Sequence, residues 1–227
     1  MPAPGAPAGP PAVTRDGPAP RFISFEGIDG SGKSTQARLL AEYLRAQGAD
    51  VVLTREPGGA PGAEDIRRLL VEGAPGRWSP ETELLLFTAA RRDHLERTID
   101  PALARGATVI CDRFADSTRV YQGATRGELA RLVDQLHALM IGRDPDLTFV
   151  IDMDPARALA RSRARLQAGG DGEDRFESFG LPFQEKLRAG FLDLARHVPD
   201  RCRLIDGDRA EAAVAADIRT ALGALAA

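Results

Sequence analysis

Five short apolar runs alternate along the chain with longer stretches whose apolar residues recur at helical spacing. The runs are 22–25, 51–54, 108–111, 147–151 and 203–205. Each is nearly continuous rather than alternating, as expected of parallel strands covered on both faces. Helical periodicity is predicted over 34–47, 63–71, 81–105, 126–141, 155–166, 181–197 and 210–222. In the first of these, Leu39, Leu40, Tyr43 and Leu44 share a face. Such alternation predicts a doubly wound α/β domain, a five-stranded parallel sheet between helical layers. Ligands of such a domain gather at the carboxyl ends of the strands. Three irregular stretches reach toward that crevice: 56–62, rich in Gly and Pro; 112–123, dense in polar side chains; and 167–179, carrying Gly, Asp, Glu and Arg.

Composition refines this outline. Residues 1–20 are mostly Pro, Ala and Gly and cannot build a core. They are expected to form a disordered extension ahead of a single domain over 21–227. The extension lacks the apolar segment of a secretory signal. The net charge of −3 argues against a large nucleic-acid footprint. Cys111 and Cys202 make neither a disulfide framework nor a CxxC pair, so a reducing, cytoplasmic setting is expected. No apolar run reaches the length of a membrane span.

The chemistry concentrates first in Gly27-Ile28-Asp29-Gly30-Ser31-Gly32-Lys33-Ser34, followed by Thr35. It fits the phosphate-loop pattern GxxxxGK[ST] at every fixed position, between a predicted strand and a predicted helix. Glycines let backbone N–H groups converge on an anion, and the helix end adds unpaired donors. Lys33 brings a charge to the transferring phosphates, and Ser34 is a magnesium ligand candidate. Asp29, inside the loop, is expected to accept a hydrogen bond or ion pair from the substrate side.

A phosphate loop alone does not separate an ATPase, a GTPase and a small-molecule kinase. The Asn-Lys-x-Asp element that reads guanine is missing from the sequence. A kinase of small molecules needs a second anion site opposite the first, and it must exclude water. Arg55 and Arg113 stand at strand carboxyl ends, and Arg91 and Arg92 lie on the predicted helix 81–105. An arginine fork matches two phosphate oxygens. Asp112 occupies the place of a second magnesium-supporting acid. A different nucleotide kinase, or a phosphate-loop regulator that transfers nothing, uses many of the same parts. A screen of phosphate acceptors separates these readings.

Several ordered stretches narrow the choice. They are Phe25 through Thr35; Thr54-Arg55-Glu56-Pro57-Gly58-Gly59; Glu83 through Arg91, extending to His94; Asp112-Arg113-Phe114; Ser117-Thr118-Arg119-Val120-Tyr121-Gln122-Gly123; and Asp174-Arg175-Phe176-Glu177. With these the chain resembles the thymidylate kinases, nucleoside monophosphate kinases of the P-loop NTPase-like fold that convert dTMP to dTDP. The resemblance implies ATP and Mg2+, dTMP as acceptor, and a homodimer formed through the 63–71 or 81–105 region and the 126–141 helix. Neither nucleic acid nor membrane is expected as a partner, on the charge and the short apolar runs described above. Gly27 through Thr35 would bind ATP. Arg55 and Arg113 would clamp the dTMP phosphate, with Asp29 near the sugar 3′-hydroxyl. Phe87 would stack on thymine, Arg91 would donate to its O4, and Ser117 and Thr118 would line the same site, Thr118 at N3–H. Tyr121 would lie beneath the deoxyribose. Ser34, Asp112 and Glu56 would organise the metal and its waters. The stretch around 161–176 resembles the lid of the bacterial enzymes. Gly30 stands where some members carry an arginine, so the cation at the transferred phosphoryl falls to the lid. Arg165 and Arg161, four apart on one helix face, are favoured over Arg163.

Overall fold

The computed structural model describes residues 22–73, 76–124, 129–167 and 180–223. The expected 1–20 extension and most of the expected lid, including Arg175, lie outside the described residues. Five strands form one parallel sheet in the order β2-β3-β1-β4-β5. They are β1 (Phe22–Glu26), β2 (Val51–Arg55), β3 (Thr108–Asp112), β4 (Leu147–Asp152) and β5 (Cys202–Asp206). All five predicted runs are strands, each one or two residues longer than the apolar pattern. The added residues include Glu26, Arg55, Asp112 and Asp152, polar groups carried at the carboxyl edge of the sheet.

β1 is buried throughout, and its neighbouring residues face opposite layers. Ile23 and Phe25 pack with Leu40, Phe149, Ile151 and Ile218, which brings α1 (Lys33–Ala46) and α9 (Glu211–Gly223) onto one face. Phe22 packs with Leu95, Ile99, Val109 and Phe114 on the other. Glu26 shares the orientation of Phe22 by this alternation and enters the layer that holds Phe114.

The remaining helices are α2 (Pro61–Val71), α3 (Pro80–His94), α4 (Asp100–Ala104), α5 (Ala115–Thr118), α6 (Ala130–Leu136), α7 (Pro155–Gln167) and α8 (Leu181–His197). α3 begins cleanly because Ser79 accepts from the Thr82 amide at 3.2 Å and Pro80 follows it. The single helix expected over 81–105 is instead interrupted by a π-helical turn, Leu95–Ile99, before α4. Pro101 explains the interruption. It has no N–H to donate back to the carbonyl of Arg97, and the ladder widens ahead of it. The irregular loop expected over 112–123 is also corrected. It is helical from Ala115 to Thr118 and π-helical from Arg119 to Ala124. Its buried residues mix Asp116, Thr118 and Gln122 with Ala115, Val120 and Tyr121, so apolar periodicity gave no clear signal.

Candidate active site

β1 ends in the phosphate loop, and two glycines there are sterically obligatory. A Cβ on Gly27 (φ 135) would lie 2.5 Å from the Ile151 carbonyl oxygen. One on Gly30 (φ 81) would lie 2.0 Å from the Ala158 carbonyl oxygen of α7. This packing leaves no room for a loop arginine at position 30. The loop delivers the N-terminus of α1, whose first turn carries no acid, so its positive end is left for an external anion. Lys33 is buried and folds back to donate to the Ile28 carbonyl at 2.8 Å. Burial, and then repulsion from Arg113, push its pKa down to about 8. The Ser31 hydroxyl is buried without a hydrogen-bond partner among the described residues.

A cleft of about 350 Å³ opens beside this loop, lined by Gly30, Ser31, Gly32, Thr35 and Gln36. Arg161 and Arg165 of α7 line it as well, as does Arg209 from the turn after β5. The shared face expected for Arg161 and Arg165 therefore looks onto the phosphate loop, while exposed Arg163 is not part of that lining. Arg209 was not foreseen, because nothing in its local sequence separates it from a surface arginine.

A second, narrower cavity lies across Asp29. Phe87, Arg91, Arg113, Ser117, Thr118 and Tyr121, all expected in one site, line it together. Glu56, Pro57, Phe114 and Gln122 complete it. Arg113 is its organising cation. Its backbone is left-handed (φ 68), a conformation that costs an arginine about 1–3 kcal/mol and must be held by its surroundings. Glu26 holds it. Its Oε1 accepts from the amides of Phe114 (2.8 Å) and Ser117 (3.3 Å), and its Oε2 from the Ser117 hydroxyl (2.6 Å). The Arg113 guanidinium donates to the Gly27 carbonyl (3.1 Å), the Ser117 hydroxyl (3.0 Å), the Tyr121 hydroxyl (3.2 Å) and the Asp29 carboxylate. Asp29 also accepts from the Tyr121 hydroxyl at 3.2 Å and lies 3.8 Å from Lys33 Nζ. Burial opposes its charge, but Arg113 and Lys33 outweigh burial and hold its carboxyl below the usual carboxylate range.

Glu26 behaves oppositely. Burial, and then the Asp116 charge, raise its pKa to about 7. The unfolded chain releases that proton near 4.5, so between about 4.5 and 7 the folded state binds more protons. This contribution to stability is complete below 4.5 and is lost as pH rises through 7. Urea unfolding across this range is expected to find wild-type stability falling with pH relative to Glu26→Gln, by at most about 3 kcal/mol. Parallel pH profiles for the two proteins would contradict this.

Arg91 reaches the cavity from α3. Its Nε donates to Glu56 Oε2 at 2.7 Å, and its Nη2 to the Phe114 carbonyl (3.1 Å) and Thr118 Oγ1 (3.0 Å). Nη1 has no hydrogen bond among the described residues. Glu56 departs from its expected place at the metal. Both of its oxygens are engaged inside the protein, one by Arg91 and the other by His94 Nδ1 at 3.0 Å. Burial against two cationic or donor partners gives it the task of fixing Arg91. Arg55 also departs from expectation. It is half exposed, paired with Glu64 at 3.3 Å, and lines a different cleft with Ser34 and Asp112. β2 and β3 lie side by side, so Asp112 is the strand partner of Arg55, and Arg113 turns away toward β1. Arg92 stays on the surface with Glu96.

The cleft holding Ser34 and Asp112 suits a hard divalent cation. Asp112 Oδ1 is buried with no hydrogen-bond partner among the described residues, an oxygen that a metal or its water would satisfy. No three potential ligands of the described chain cluster closely enough to hold a metal alone, so phosphate and water would supply the rest. Glu26, which directly precedes the loop and is a sequence candidate for orienting a water on the metal, instead spends both oxygens on Phe114 and Ser117. Gln122 in the cavity wall and the pair Thr54–His94 behind it were covered by the order of motifs, but spacing gave none of the three a role.

A family model for thymidylate kinase matches residues 25–218. Thymidylate kinase of Dinoroseobacter shibae is 77% identical over 198 residues, covering 87% of this chain and 94% of the relative. That of Ruegeria pomeroyi is 69% identical, covering 87% and 92%. The solved structure of thymidylate kinase from Ehrlichia chaffeensis, 40% identical, superposes with a TM-score of 0.72 over 90% of this chain and 99% of that one. A phosphate loop and an arginine-lined cavity meeting at Asp29, in a chain matched along nearly all of its described length, place this protein in the thymidylate kinase family.

Proposed function

We propose that the chain transfers the γ-phosphoryl group of ATP to dTMP, giving ADP and dTDP. One observation carries this reading: Lys33 of the phosphate loop and Arg113 of the acceptor cavity converge on a single carboxylate, Asp29. Two anion sites joined in this way bring the phosphates of two nucleotides into line. The attacking phosphate oxygen is already anionic, so no general base is required. The protein's task is to align two polyanions and offset their repulsion. Lys33 and the loop amides hold the donor. Arg113 holds the acceptor phosphate, and Asp29 keeps that guanidinium in place. Arg55 joins the clamp only by leaving Glu64. Magnesium, held by Ser34 and Asp112, would neutralise charge on the transferring phosphates. Arg161 or Arg165 of α7 closes over the bridge.

Phe87 and Arg91 read the base. A guanidinium donor suits the O4 carbonyl of thymine and meets the 4-amino group of cytosine donor to donor. Arg91→Lys keeps the charge but loses the fork, and is expected to raise the KM for dTMP roughly 10-fold or more while narrowing the margin over dCMP. Unchanged selectivity would refute this role. Exposed Leu85 on α3, with Leu139 and Met140 after α6, supports a homodimer through those helices. No helix among the described residues is long and apolar enough to cross a membrane. That fits a cytoplasmic enzyme of small-molecule partners, as does the mildly acidic charge. The test is ADP release from ATP over a panel of acceptors. The reading expects release driven by dTMP well above dCMP, dAMP, dGMP and thymidine. Release indifferent to the acceptor would overturn it.

A further inference from the structure

We infer that His94 is a positioning residue for base recognition, fixing Glu56 and, through it, the guanidinium of Arg91. The inference rests on the proposed role of Arg91 toward the acceptor base. His94 closes α3, is fully buried, and does not line the acceptor cavity. Its ring lies between two groups that leave β2: Nδ1 is 3.0 Å from Glu56 Oε1, and Nε2 is 2.8 Å from Thr54 Oγ1. A carboxylate only accepts, so Nδ1 carries a proton, and the Thr54 hydroxyl can meet Nε2 in either protonation state. The ring is clamped. A Cβ on Gly59 would lie 2.4 Å from both His94 Nε2 and Thr54 Oγ1. The Gly59 carbonyl accepts from Thr98 Oγ1 at 2.7 Å, and its amide donates to Glu64 Oε1 at 2.8 Å.

The chain of contacts then runs Thr54–His94–Glu56–Arg91–Thr118. Each Glu56 oxygen receives one donor, His94 on one side and Arg91 on the other. Two separated donors fix the plane of the carboxylate, and that plane fixes the Arg91 fork. Without the Nδ1 donor, Glu56 Oε1 is buried and unsatisfied. The guanidinium is then drawn to chelate both oxygens, away from the Phe114 carbonyl and Thr118 that now hold Nη2. A buried histidine that only fills space would not act in this directional way.

Two substitutions divide the two ring nitrogens. His94→Asn places an amide nitrogen near the Nδ1 position and keeps the donor to Glu56. His94→Gln extends to the Nε2 position, keeps the Thr54 contact and loses the one to Glu56. His94→Gln is expected to raise the KM for dTMP about tenfold and to shrink the preference for dTMP over dCMP, with the KM for ATP unchanged. His94→Asn is expected to stay within about threefold of wild type on each count. If His94→Gln does not fold, His94→Asn against His94→Ala reads the same link, with Asn retaining the dTMP KM and Ala losing it. Equal dTMP KM and selectivity in the paired variants, or losses that follow melting temperature alone, would overturn the inference. A failure of the functional reading appears separately, in wild-type enzyme that prefers no acceptor.

Discussion

Lys33→Ala is expected to cut turnover by about 10³-fold or more while leaving the fold intact. The size of the effect follows from position. Lys33 is the buried cation of the phosphate loop and the one lysine or arginine in the sequence from Gly27 to Ser34. Its pKa near 8 means that it is mostly charged at neutral pH and that a bound polyphosphate would secure the proton further. Stability should change little. Its hydrogen bond to Ile28 is lost, but so is the repulsion with Arg113, and Asp29 keeps its contacts to Arg113 and Tyr121. Near-normal turnover in a folded variant would contradict this role.

Arg113→Met is expected to damage stability and activity together. It removes the proposed acceptor clamp and leaves Asp29 as a buried carboxylate facing only Lys33 and Tyr121. Breaking a buried pair from one side costs about 3–5 kcal/mol, and the residual Lys33 charge puts this case at the low end. The KM for dTMP should rise by roughly two orders of magnitude, as for other charge-assisted contacts to a phosphate. Asp29→Asn added to Arg113→Met should restore most of the stability and none of the activity, because the orphaned charge is gone but the clamp is still missing. Denaturant unfolding with steady-state kinetics on both variants checks this. A single variant as stable as wild type would show that Asp29 does not depend on Arg113.

The sheet was legible from the chain because each strand is a short, mostly apolar run with a polar residue at or just past its end. Ile23, Ile110 and Phe149 announce burial, and Glu26, Asp112 and Asp152 announce the functional edge. The phosphate loop was equally legible, since glycines at fixed spacing before Lys33 have few other uses. The segment from Ala115 to Ala124 was not, because polar residues share its inward side with apolar ones. Asp116 and Thr118 are held inside by tertiary hydrogen bonds from Arg201 and Arg91 that leave no periodic trace. The same limit explains Glu56 and Arg55. Both stand in a recognisable motif, but a motif does not say which carboxylate oxygen faces Arg91 and which faces His94. It also does not say that Glu64, a turn into α2, would hold Arg55 away from Arg113. The cavity's order, with aromatic Phe87 and Tyr121 around Arg91 and Arg113, came from resemblance. Taken alone, Phe87 reads as one more apolar residue of α3.

A ternary complex with dTMP and a non-hydrolysable ATP analogue puts the two-anion arrangement to its most direct test. The dTMP phosphate should sit within hydrogen-bond reach of Arg113, with its base against Phe87 and its O4 toward Arg91, while the analogue's phosphates lie over Lys33. A dTMP molecule bound anywhere else, with the cavity around Arg113 still closed by Asp29 and Tyr121, would contradict it.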